Sequence, residues 1–336
     1  MKPSLISVLS SRIVSAAANR LTGVGGPAIF MLHLIDHGDS DTGGITAGYL
    51  RTCLEDLRHR GVRFVALSEV FDALQEGTSL PPNSVAFCMD DGFADQAQLA
   101  APIFEEHGCP VTFFVITGLL DGSLWPWDDQ LAYLIAHSLR DTIEMRVGGY
   151  DYTFSLADPP SQTHARRTLR DAFKLLGEAD LEPALKALEK EAGVEIPANP
   201  PPAYRPMDWD TARVLERRGV RFAPHSVTHR ILSRLSRESM EAEITQSWAR
   251  LQDELSAPLP VFCYPTGRVG DFGKREIDLL RDLGFTGAVS TTPGYLGEYP
   301  GSALDPYRVP RFELPASLTD FRQYSSWIER LKRRLI

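Results

Sequence analysis

The sequence predicts an α/β fold in which parallel strands form a barrel covered by helices. Apolar, strand-like runs alternate with helical segments along most of the chain, and this alternation is typical of a parallel sheet. Polar residues follow the ends of about seven such strands, which favours a barrel over an open sheet. No glycine-rich phosphate-binding fingerprint follows the first strand, which argues against a dinucleotide-binding fold.

The individual elements follow from hydrophobic periodicity. Runs rich in apolar and β-branched residues predict the strands, which are 28–35, 62–67, 84–89, 111–117, 220–223, 259–264 and 285–291. Apolar residues at helical spacing predict the helices between them, which are 47–60, 95–107, 208–218, 237–255 and 274–283.

Residues 1–27 are expected to form a separate N-terminal helix. One face of this helix carries apolar residues at helical spacing, namely Ile6, Leu9, Ile13, Ala17 and Leu21. We expect that face to pack on the body of the protein.

Residues 28–336 are expected to form the barrel domain, interrupted by an insertion at about 121–204. The insertion contains a hairpin signal at 143–147 and 152–156. Two helical patterns follow at 162–176 and 181–192, and a proline-rich extended linker at 197–202 ends the insertion. We expect it on the catalytic face. A lid or substrate platform and simple packing against the barrel are both open interpretations.

The composition is that of an ordinary globular protein. Of 336 residues, 43% are hydrophobic and 24% are charged. The 35 basic and 44 acidic residues give a formal net charge of −9, and an acidic chain without a basic stripe argues against nucleic-acid binding. The four cysteines show no CxxC pair, which predicts buried thiols in a reducing compartment.

No apolar run reaches the roughly 18 residues that a membrane span needs. The N-terminus lacks the compact apolar core of a signal peptide, so the expected location is the cytoplasm. The N-terminal helix and the basic C-terminal stretch 327–336 leave peripheral contact with the inner membrane face open. The sequence does not predict the oligomeric state.

Two short segments carry the chemistry. Asp90 and Asp91 directly follow an apolar run, and His225 and His229 lie four residues apart. That spacing places both imidazoles on one side of a helical turn, within reach of one ion. One carboxylate and two imidazoles leave positions open for water and substrate, which suits metal-assisted hydrolysis. An Asp-Gly turn and two unrelated histidines are the structural alternatives.

Three segments resemble the motifs of the NodB-like polysaccharide deacetylases, carbohydrate esterase family 4. Met89–Phe93 is similar to the first motif, His225–His229 to the second and Phe262–Gly267 to the third. The resemblance extends from about residue 28 to 314, apart from the insertion. It implies a distorted (β/α)7-type barrel and a hydrolase.

The resemblance also implies a role for particular residues. A divalent metal ion, zinc or a close substitute, would be held by Asp91, His225 and His229. Asp90 would be the general base that takes a proton from the attacking water. The backbone N–H of Thr266 would stabilise the developing oxyanion.

Two departures from the family pattern concern the residues around the base. Many members carry an arginine in the third motif that orients the base, and Cys263 stands at that position. Arg311 is the candidate replacement, with Arg308 and Arg205 behind it. A structural salt bridge at the surface is the alternative for each arginine.

The second departure concerns the general acid. Common members supply a histidine near the C-terminus, and no histidine follows His229 here. His33 ends the first predicted strand, as in the branch that includes poly-N-acetylglucosamine deacetylases. We therefore expect His33 to protonate the leaving amine; a histidine that only orders the first loop is the alternative.

Aromatic residues near the motifs are candidates for the substrate site. Trp125 and Trp127 are suited to stacking on sugar rings, although a packing cluster at a helix start is equally compatible with the sequence. Tyr264 and Phe93 adjoin the motifs and are candidates for shaping the acetyl pocket.

The sequence thus predicts a metal-dependent deacetylase that hydrolyses the N-acetyl amide of an amino sugar in a glycan or glycan precursor. An O-acetyl carbohydrate esterase or a deformylase on the same scaffold is one alternative. A catalytically inactive, sugar-binding homologue is another. The expected partner is an N-acetylated carbohydrate, with no nucleic acid.

Overall fold

The computed structural model describes residues 3–22, 26–36, 44–296 and 305–335. Its strands, in chain order, are β1 (Pro27–Leu32), β2 (Ile35–Asp36), β3 (Ile45–Thr46), β4 (Arg63–Phe64), β5 (Ser84–Asp91), β6 (Val111–Val115), β7 (Thr142–Val147), β8 (Tyr150–Ser155), β9 (Arg221–Pro224), β10 (Val261–Cys263), β11 (Gly287–Val289) and β12 (Phe312–Glu313). Its α-helices are α1 (Pro3–Leu9), α2 (Arg12–Thr22), α3 (Ala47–His59), α4 (Leu67–Glu76), α5 (Ala101–Glu106), α6 (Thr117–Leu120), α7 (Trp127–Ala136), α8 (Pro159–Phe173), α9 (Leu181–Ala192), α10 (Trp209–Arg217), α11 (Arg237–Glu254), α12 (Lys274–Asp282), α13 (Leu318–Tyr324) and α14 (Trp327–Leu335).

The central strands are parallel and follow one another around a distorted barrel. The main sheet has the order β12-β1-β5-β6-β9, with β4 beside the start of β5. Leu259 N donates to Phe222 O at 2.7 Å, which continues the backbone contacts from β9 towards β10. β10 pairs with β11, and Val289 bridges Val309 just before β12. The predicted α/β class with parallel strands is confirmed.

Strand alternation separates two apolar layers. Phe30, Phe87 and Phe113 pack with the surrounding helices, whereas neighbours such as Ala86 and Phe114 belong to a second cluster that fills the barrel. Successive residues of a strand point to opposite faces, so each strand contributes to both layers. Because the interior is packed with side chains, space for chemistry is left only at the strand ends.

The predicted strand over 62–67 is longer than the observed one, because helix α4 begins at its end. The sequence predicts a strand over 62–67, but only Arg63–Phe64 pairs with β5, and a helix begins at Leu67. The Glu69 side chain accepts from Ala66 N at 2.7 Å and so caps the start of that helix. Its Phe71 packs against Gly287, where an added Cβ would lie 2.4 Å from the ring.

The predicted single N-terminal helix is wrong, because the chain breaks into α1 and α2 at Ser10 and Ser11. The break separates the apolar positions: Ile6 is 1% exposed, but Ile13 is 84% exposed. The N-terminal helices dock on the C-terminal ones, where Trp327 Nε1 donates to Leu9 O at 3.0 Å. Leu21 lies outside the residues whose side chains are described. No described helix combines the length and the apolar character that crossing a membrane requires.

The insertion has a core of its own. α7, the hairpin β7–β8, α8 and α9 enclose a separate apolar cluster, and the predicted hairpin and helices are all present. Glu178 links the insertion to the barrel, because its carboxylate accepts from Ser236 N at 3.1 Å and from Ser239 Oγ at 2.6 Å. Arg230, next to His229, donates to Glu178 O at 3.0 Å. The insertion therefore packs on the end of the barrel that carries the metal motifs.

Candidate metal centre

The first motif ends strand β5 in a sharp turn. Asp90 and Asp91 are its last two residues, paired with Phe114 and Val115 of β6. Asp91 has φ 83° and Gly92 has φ 96°, a region that costs a side-chain-bearing residue conformational energy. A Cβ at Gly92 would also lie 2.7 Å from Leu120 Cδ1. Only glycine fits there, and the turn aims the Asp91 carboxylate at the second motif.

The second motif is a loop, so the predicted helical turn over 225–229 is wrong. Ser226 has φ 66° and His229 has φ 59°. The Glu243 carboxylate accepts from Val227 N at 2.8 Å and from Thr228 N at 2.9 Å. These N–H groups therefore bond to a side chain of α11 instead of entering a helix.

Backbone strain is concentrated in the three motifs. The described non-glycine residues with positive φ are Asn83 and four motif residues, Asp91, Ser226, His229 and Thr266. Such conformations persist where the surrounding structure enforces them, and they cluster at functional sites.

Three predicted ligands converge as the sequence suggested. His225 Nε2 lies 3.6 Å and His229 Nε2 lies 3.8 Å from Asp91 Oδ1. All three residues are buried, and their candidate donor atoms lie within 4.8 Å of one another. Donor atoms about 2 Å from one tetrahedral ion are separated by roughly 3–4 Å. The spacing fits a single cation.

A buried oxygen atom without a hydrogen-bond partner also supports a cation at this position. Asp91 Oδ1 is buried and has no hydrogen-bond partner among the described residues. Leaving a buried carboxylate oxygen unpaired is costly. Burial raises the pKa of Asp91 to about 6, so the site favours a cation that keeps this carboxylate ionised.

Outer hydrogen bonds orient both imidazoles. His225 Nδ1 lies 2.8 Å from Cys263 O, and His229 Nδ1 lies 3.2 Å from Asp128 Oδ1. These contacts direct each Nε2 lone pair towards Asp91. Burial lowers the pKa of His225 to about 3. Burial also acts to lower the pKa of His229, but the carboxylates of Asp128, Asp91 and Asp129 together outweigh it, Asp128 most, and raise that pKa to about 9.

Asp90 is held by Arg311, the arginine expected from the sequence. Arg311 Nη1 donates to Asp90 Oδ1 and Nη2 donates to Asp90 Oδ2, both at 2.8 Å. Arg311 is 0% exposed and Asp90 is 1% exposed. Burial alone would raise the pKa of Asp90, but the Arg311 charge and hydrogen bonds outweigh it and hold that pKa well below the usual range. The carboxylate therefore stays ionised although it is buried.

Arg308 and Arg205 do not reach this carboxylate. The Arg308 side chain is 50% exposed and pairs with Asp305 at 3.3 Å. Arg205 is exposed, and its carbonyl accepts from Ala94 N at 2.8 Å. The small Cys263 side chain leaves room for the Arg311 guanidinium, because Arg311 Nη2 lies 3.2 Å from the Cys263 sulfur.

A second set of possible donors shares one histidine with the first. Asp90, His225 and Cys263 are also close and buried. Both Asp90 oxygens are engaged by Arg311, and burial raises the pKa of Cys263 far above that of a free thiol. A metal needs thiolate sulfur. The Asp91 set, with its unpaired oxygen, is therefore the better metal site.

His33 and Thr266 lie at the edge of the centre. His33 Nε2 is 3.9 Å from Asp90 Oδ2, and its side chain is 40% exposed. Gln96 Nε2 donates to His33 O at 2.7 Å and also to Asp90 O, so one side chain ties the two loops together. Thr266 N donates no hydrogen bond to a described residue. It is available to a substrate oxygen, whereas Thr266 Oγ1 donates to Asp271.

The predicted aromatic residues serve the packing of the site. Tyr264 is 1% exposed, stacks on Phe272 at 3.7 Å and donates to Tyr307 O. These are packing contacts, and a role of Tyr264 in shaping the acetyl pocket stays a prediction. Phe93, also 1% exposed, belongs to the buried cluster around Trp125, and its part in such a pocket stays a prediction as well.

The two tryptophans are buried as well. Trp125 and Trp127 are 6% and 4% exposed. Trp125 lies against Tyr133 and Tyr204, and Trp127 stacks on Phe173. Trp127 Nε1 donates to His229 O at 3.2 Å and so supports the ligand loop. These contacts match the packing interpretation; stacking on a sugar stays a prediction.

Asp128, Glu243 and Gln96 are site residues that the sequence does not predict. Asp128 resembles an ordinary acidic residue of a first helical turn, and Glu243 lies in the interior of α11. Their contacts cross 101 and 15 residues of chain. No local pattern reports such contacts.

Arg311→Met tests how Arg311 acts on Asp90. Without the guanidinium, burial is expected to raise the pKa of Asp90. The carboxylate must be ionised to accept a proton, so activity should be lost at a higher pH than in the wild type as the pH falls. A pH profile of kcat/KM measures this. Arg308→Met is the control, and an unmoved acid limb in Arg311→Met would contradict the assignment.

Asp128→Asn tests the outer contact to His229. We expect metal affinity to fall by about 10–100-fold, as for other outer partners of histidine ligands. Competition with a metal-binding dye provides the measurement. Asp151→Asn, on the exposed hairpin of the same insertion, is the control. Equal affinity of the wild type and Asp128→Asn would show that this contact is only structural.

Comparison with known proteins agrees with the geometry. The sequence model of the family described as polysaccharide deacetylase matches residues 77–288. This segment contains Asp90, Asp91, His225 and His229, but neither His33 nor Arg311 lies within it. No curated protein matches the chain in sequence.

Solved structures share the fold at low sequence identity. The deacetylase PplD of Streptococcus pyogenes, in complex with acetate, is 16% identical with a TM-score of 0.57 and covers 89% of this chain and 97% of its own. IcaB from Ammonifex degensii is 17% identical with a TM-score of 0.55, covering 91% and 98%. A de-N-acetylase from Aggregatibacter actinomycetemcomitans is 13% identical with a TM-score of 0.54, covering 88% and 98%.

Proposed function

Because the chain belongs to the polysaccharide deacetylase family, we propose that it is a metal-dependent deacetylase that hydrolyses the N-acetyl amide of an amino sugar in a glycan or glycan precursor. The family supports a deacetylase that acts on carbohydrate. The metal requirement and the N-acetyl specificity are the proposed part. One structural neighbour is a de-N-acetylase, which is consistent with that specificity.

One observation carries the proposal. A buried carboxylate with an unpaired oxygen faces two oriented imidazoles, and an ionised carboxylate lies next to it in sequence. Asp91, His225 and His229 would hold the metal. When bound there, a divalent cation supplies a Lewis acid that polarises the acetyl carbonyl and acidifies water.

The remaining chemistry falls to the protein's own residues. Asp90 accepts the proton of the attacking water, and Arg311 keeps that carboxylate ionised and fixed in orientation. Thr266 N–H donates to the oxygen of the acetyl group as negative charge develops there. His33 delivers a proton to the sugar nitrogen as the C–N bond breaks. The products are acetate and a free amine.

His33→Ala tests the proton delivery. We expect kcat to fall by about 10²–10⁴-fold, the usual contribution of a general acid, with metal content unchanged. With a substrate whose leaving group needs no proton, the kcat of the variant should fall far less, because the variant lacks only the general acid. Kinetics on an amide and on an activated aryl ester separate the two. Wild-type rates on the amide would leave His33 a structural residue.

The function itself is tested by acetate release from a panel of N-acetylated and O-acetylated oligosaccharides, with and without chelator. We expect release from the N-acetylated members, loss with chelator, and recovery when zinc is added back. Release only from O-acetylated members would identify an esterase. Formate release from N-formylated sugars alone would identify a deformylase.

The inactive, sugar-binding alternative is weakened by the contacts of Asp90. It drew support from the missing arginine in the third motif. Arg311 reaches the same carboxylate from the segment directly before β12, so Asp90 has its guanidinium partner. The proposed location is the cytoplasm, with the inner membrane face as one option.

A further inference from the structure

His33 directly follows β1, at the point where that strand leaves the sheet. Leu32 pairs with Met89 of β5, so His33 and Asp90 are the next residues along two neighbouring segments of the sheet. His33 Nε2 lies 3.9 Å from Asp90 Oδ2, and the His33 ring forms no hydrogen bond with a residue that the structure describes. The position of the ring therefore depends on how the backbone of this segment is held.

The Gln96 side chain joins the backbone at these two positions. Its Nε2 donates to His33 O at 2.7 Å and also to Asp90 O. A carboxamide nitrogen carries two hydrogens, so each carbonyl group receives one of them. Gln96 is 0% exposed. It therefore sets the spacing between the proposed acid and the proposed base from inside the protein, without contact to a reacting atom.

The neighbouring residue holds the same segment from its other side. Asp95 Oδ2 accepts from Ile35 N at 2.5 Å, two residues after His33. Two consecutive side chains of the segment after the first motif thus bind the backbone on both sides of the His33 ring. Beyond β1 the sheet no longer supplies these hydrogen bonds, so the two side chains replace it.

The backbone at Gln96 departs from α-helical geometry. Residues Gln96–Ala100 form a π-helical turn directly before α5, in which Ala101 N donates to Gln96 O. Such turns are rare and are frequent at functional sites. The extra residue in the turn changes the direction of the Gln96 side chain relative to those of α5. The turn thus matches a side chain that has to reach two strand ends.

The other end of the amide carries an energetic cost. Gln96 Oε1 is buried and has no hydrogen-bond partner among the described residues. An acceptor without a protein partner in the interior is unfavourable, and exchanging the amide nitrogen and oxygen would set Oε1 against two carbonyl oxygens. An apolar side chain of the same length would fill this space without that cost. The cost is explained if the two donors are needed to place His33.

Asp90 does not depend on Gln96 in the same way. It pairs with Phe114 of β6, and Arg311 binds both of its carboxylate oxygens at 2.8 Å. His33 has no comparable contact to its ring. Loss of the Gln96 amide is therefore expected to displace His33 while Asp90 keeps its position.

We propose that Gln96 is a positioning residue for proton delivery, which holds the backbone of His33 beside the strand end that carries Asp90. The proposal rests on the proposed function, because His33 is the proposed general acid there. Gln96 acts through His33 alone, so its loss affects protonation of the leaving nitrogen. Metal binding and activation of the attacking water do not require it.

Gln96→Met removes both donors and keeps the length of the side chain. Rates on an N-acetylated oligosaccharide and on an activated aryl ester are measured for the metal-loaded full chain. We expect kcat on the amide to fall by at least about tenfold, as for a misplaced catalytic group, and kcat on the ester by less than about twofold. In a His33→Ala background the same substitution should change neither rate further, because the acid that Gln96 places is already absent.

Gln162→Met is the matched control. Gln162 also donates to a backbone carbonyl, Leu156 O at 3.0 Å, but it lies in the insertion, so the ratio of the amide rate to the ester rate should stay at the wild-type value. Both rates scale with the amount of folded enzyme, so this ratio does not depend on the fraction of a variant that folds.

Gln96→Glu is a second variant of the same position. A carboxyl group has at most one hydrogen to donate, so it cannot hold both carbonyl groups, and the ratio should fall here as well. The proposal is wrong if both rates fall by the same factor, if neither falls, or if the loss on the amide persists in full in the His33→Ala background. Absence of amide hydrolysis in the wild type would refute the proposed function instead.

Discussion

Asp90→Asn is expected to abolish acetate release while the metal remains bound. The amide cannot accept the proton of the attacking water, and loss of a general base costs about 10²–10⁴-fold in rate. Asp91, His225 and His229 keep their positions, so metal content measured by atomic emission should stay at the wild-type level. Loss of metal would instead place Asp90 among the ligands.

The same substitution is expected to lower stability, which a simple activity assay would miss. Arg311 is 0% exposed, and without Asp90 its charge is buried with no carboxylate partner. Breaking a buried pair on one side costs about 3–5 kcal/mol. The double variant Asp90→Asn/Arg311→Met removes both charges, so it should recover stability without recovering activity. Urea unfolding of the single and double variants separates catalysis from folding.

His225→Ala is expected to lose the metal, and with it activity, down to the level of the chelated wild-type protein. His225 supplies Nε2, and its Nδ1 is held by Cys263 O, so no other group at that position can replace the donor. Metal affinity should fall by more than the 10–100-fold expected for an outer contact. His229→Ala should behave alike.

A matched control is available elsewhere in the chain. His107 is also buried, and its Nδ1 also contacts a backbone carbonyl, Ile103 O at 2.8 Å. His107→Ala should keep the metal whatever it does to stability. Full metal occupancy in His225→Ala or His229→Ala would remove that residue from the ligand set.

The candidate metal ligands could be predicted from the sequence because the evidence for the two motifs that supply them is local. A carboxylate pair after a buried strand and two histidines four apart are visible in short windows. The conformation of the second motif is predicted wrongly for the same reason. Spacing alone suggests a helical turn, whereas Glu243 draws the N–H groups of Val227 and Thr228 into a loop.

Arg311 shows the limit of sequence evidence for the base. It is one of three candidate arginines, and each could equally have formed a surface salt bridge. Arg311 lies 221 residues from Asp90 in the chain. Only the order of the strands in the sheet brings the end of β5, which carries Asp90, next to the segment before β12, which carries Arg311. The same limit applies to Trp127. Its burial and its hydrogen bond to His229 O both result from the packing of the insertion, which the sequence does not show.

By itself, the sequence determined the alternation of strands and helices, the positions of three motifs and the candidate metal ligands. These depend on periodicity and spacing within short stretches of chain. The tertiary structure alone decided which arginine holds Asp90 and which carboxylate orients His229. Such contacts join residues far apart in the chain, and their energies depend on burial and distance after folding.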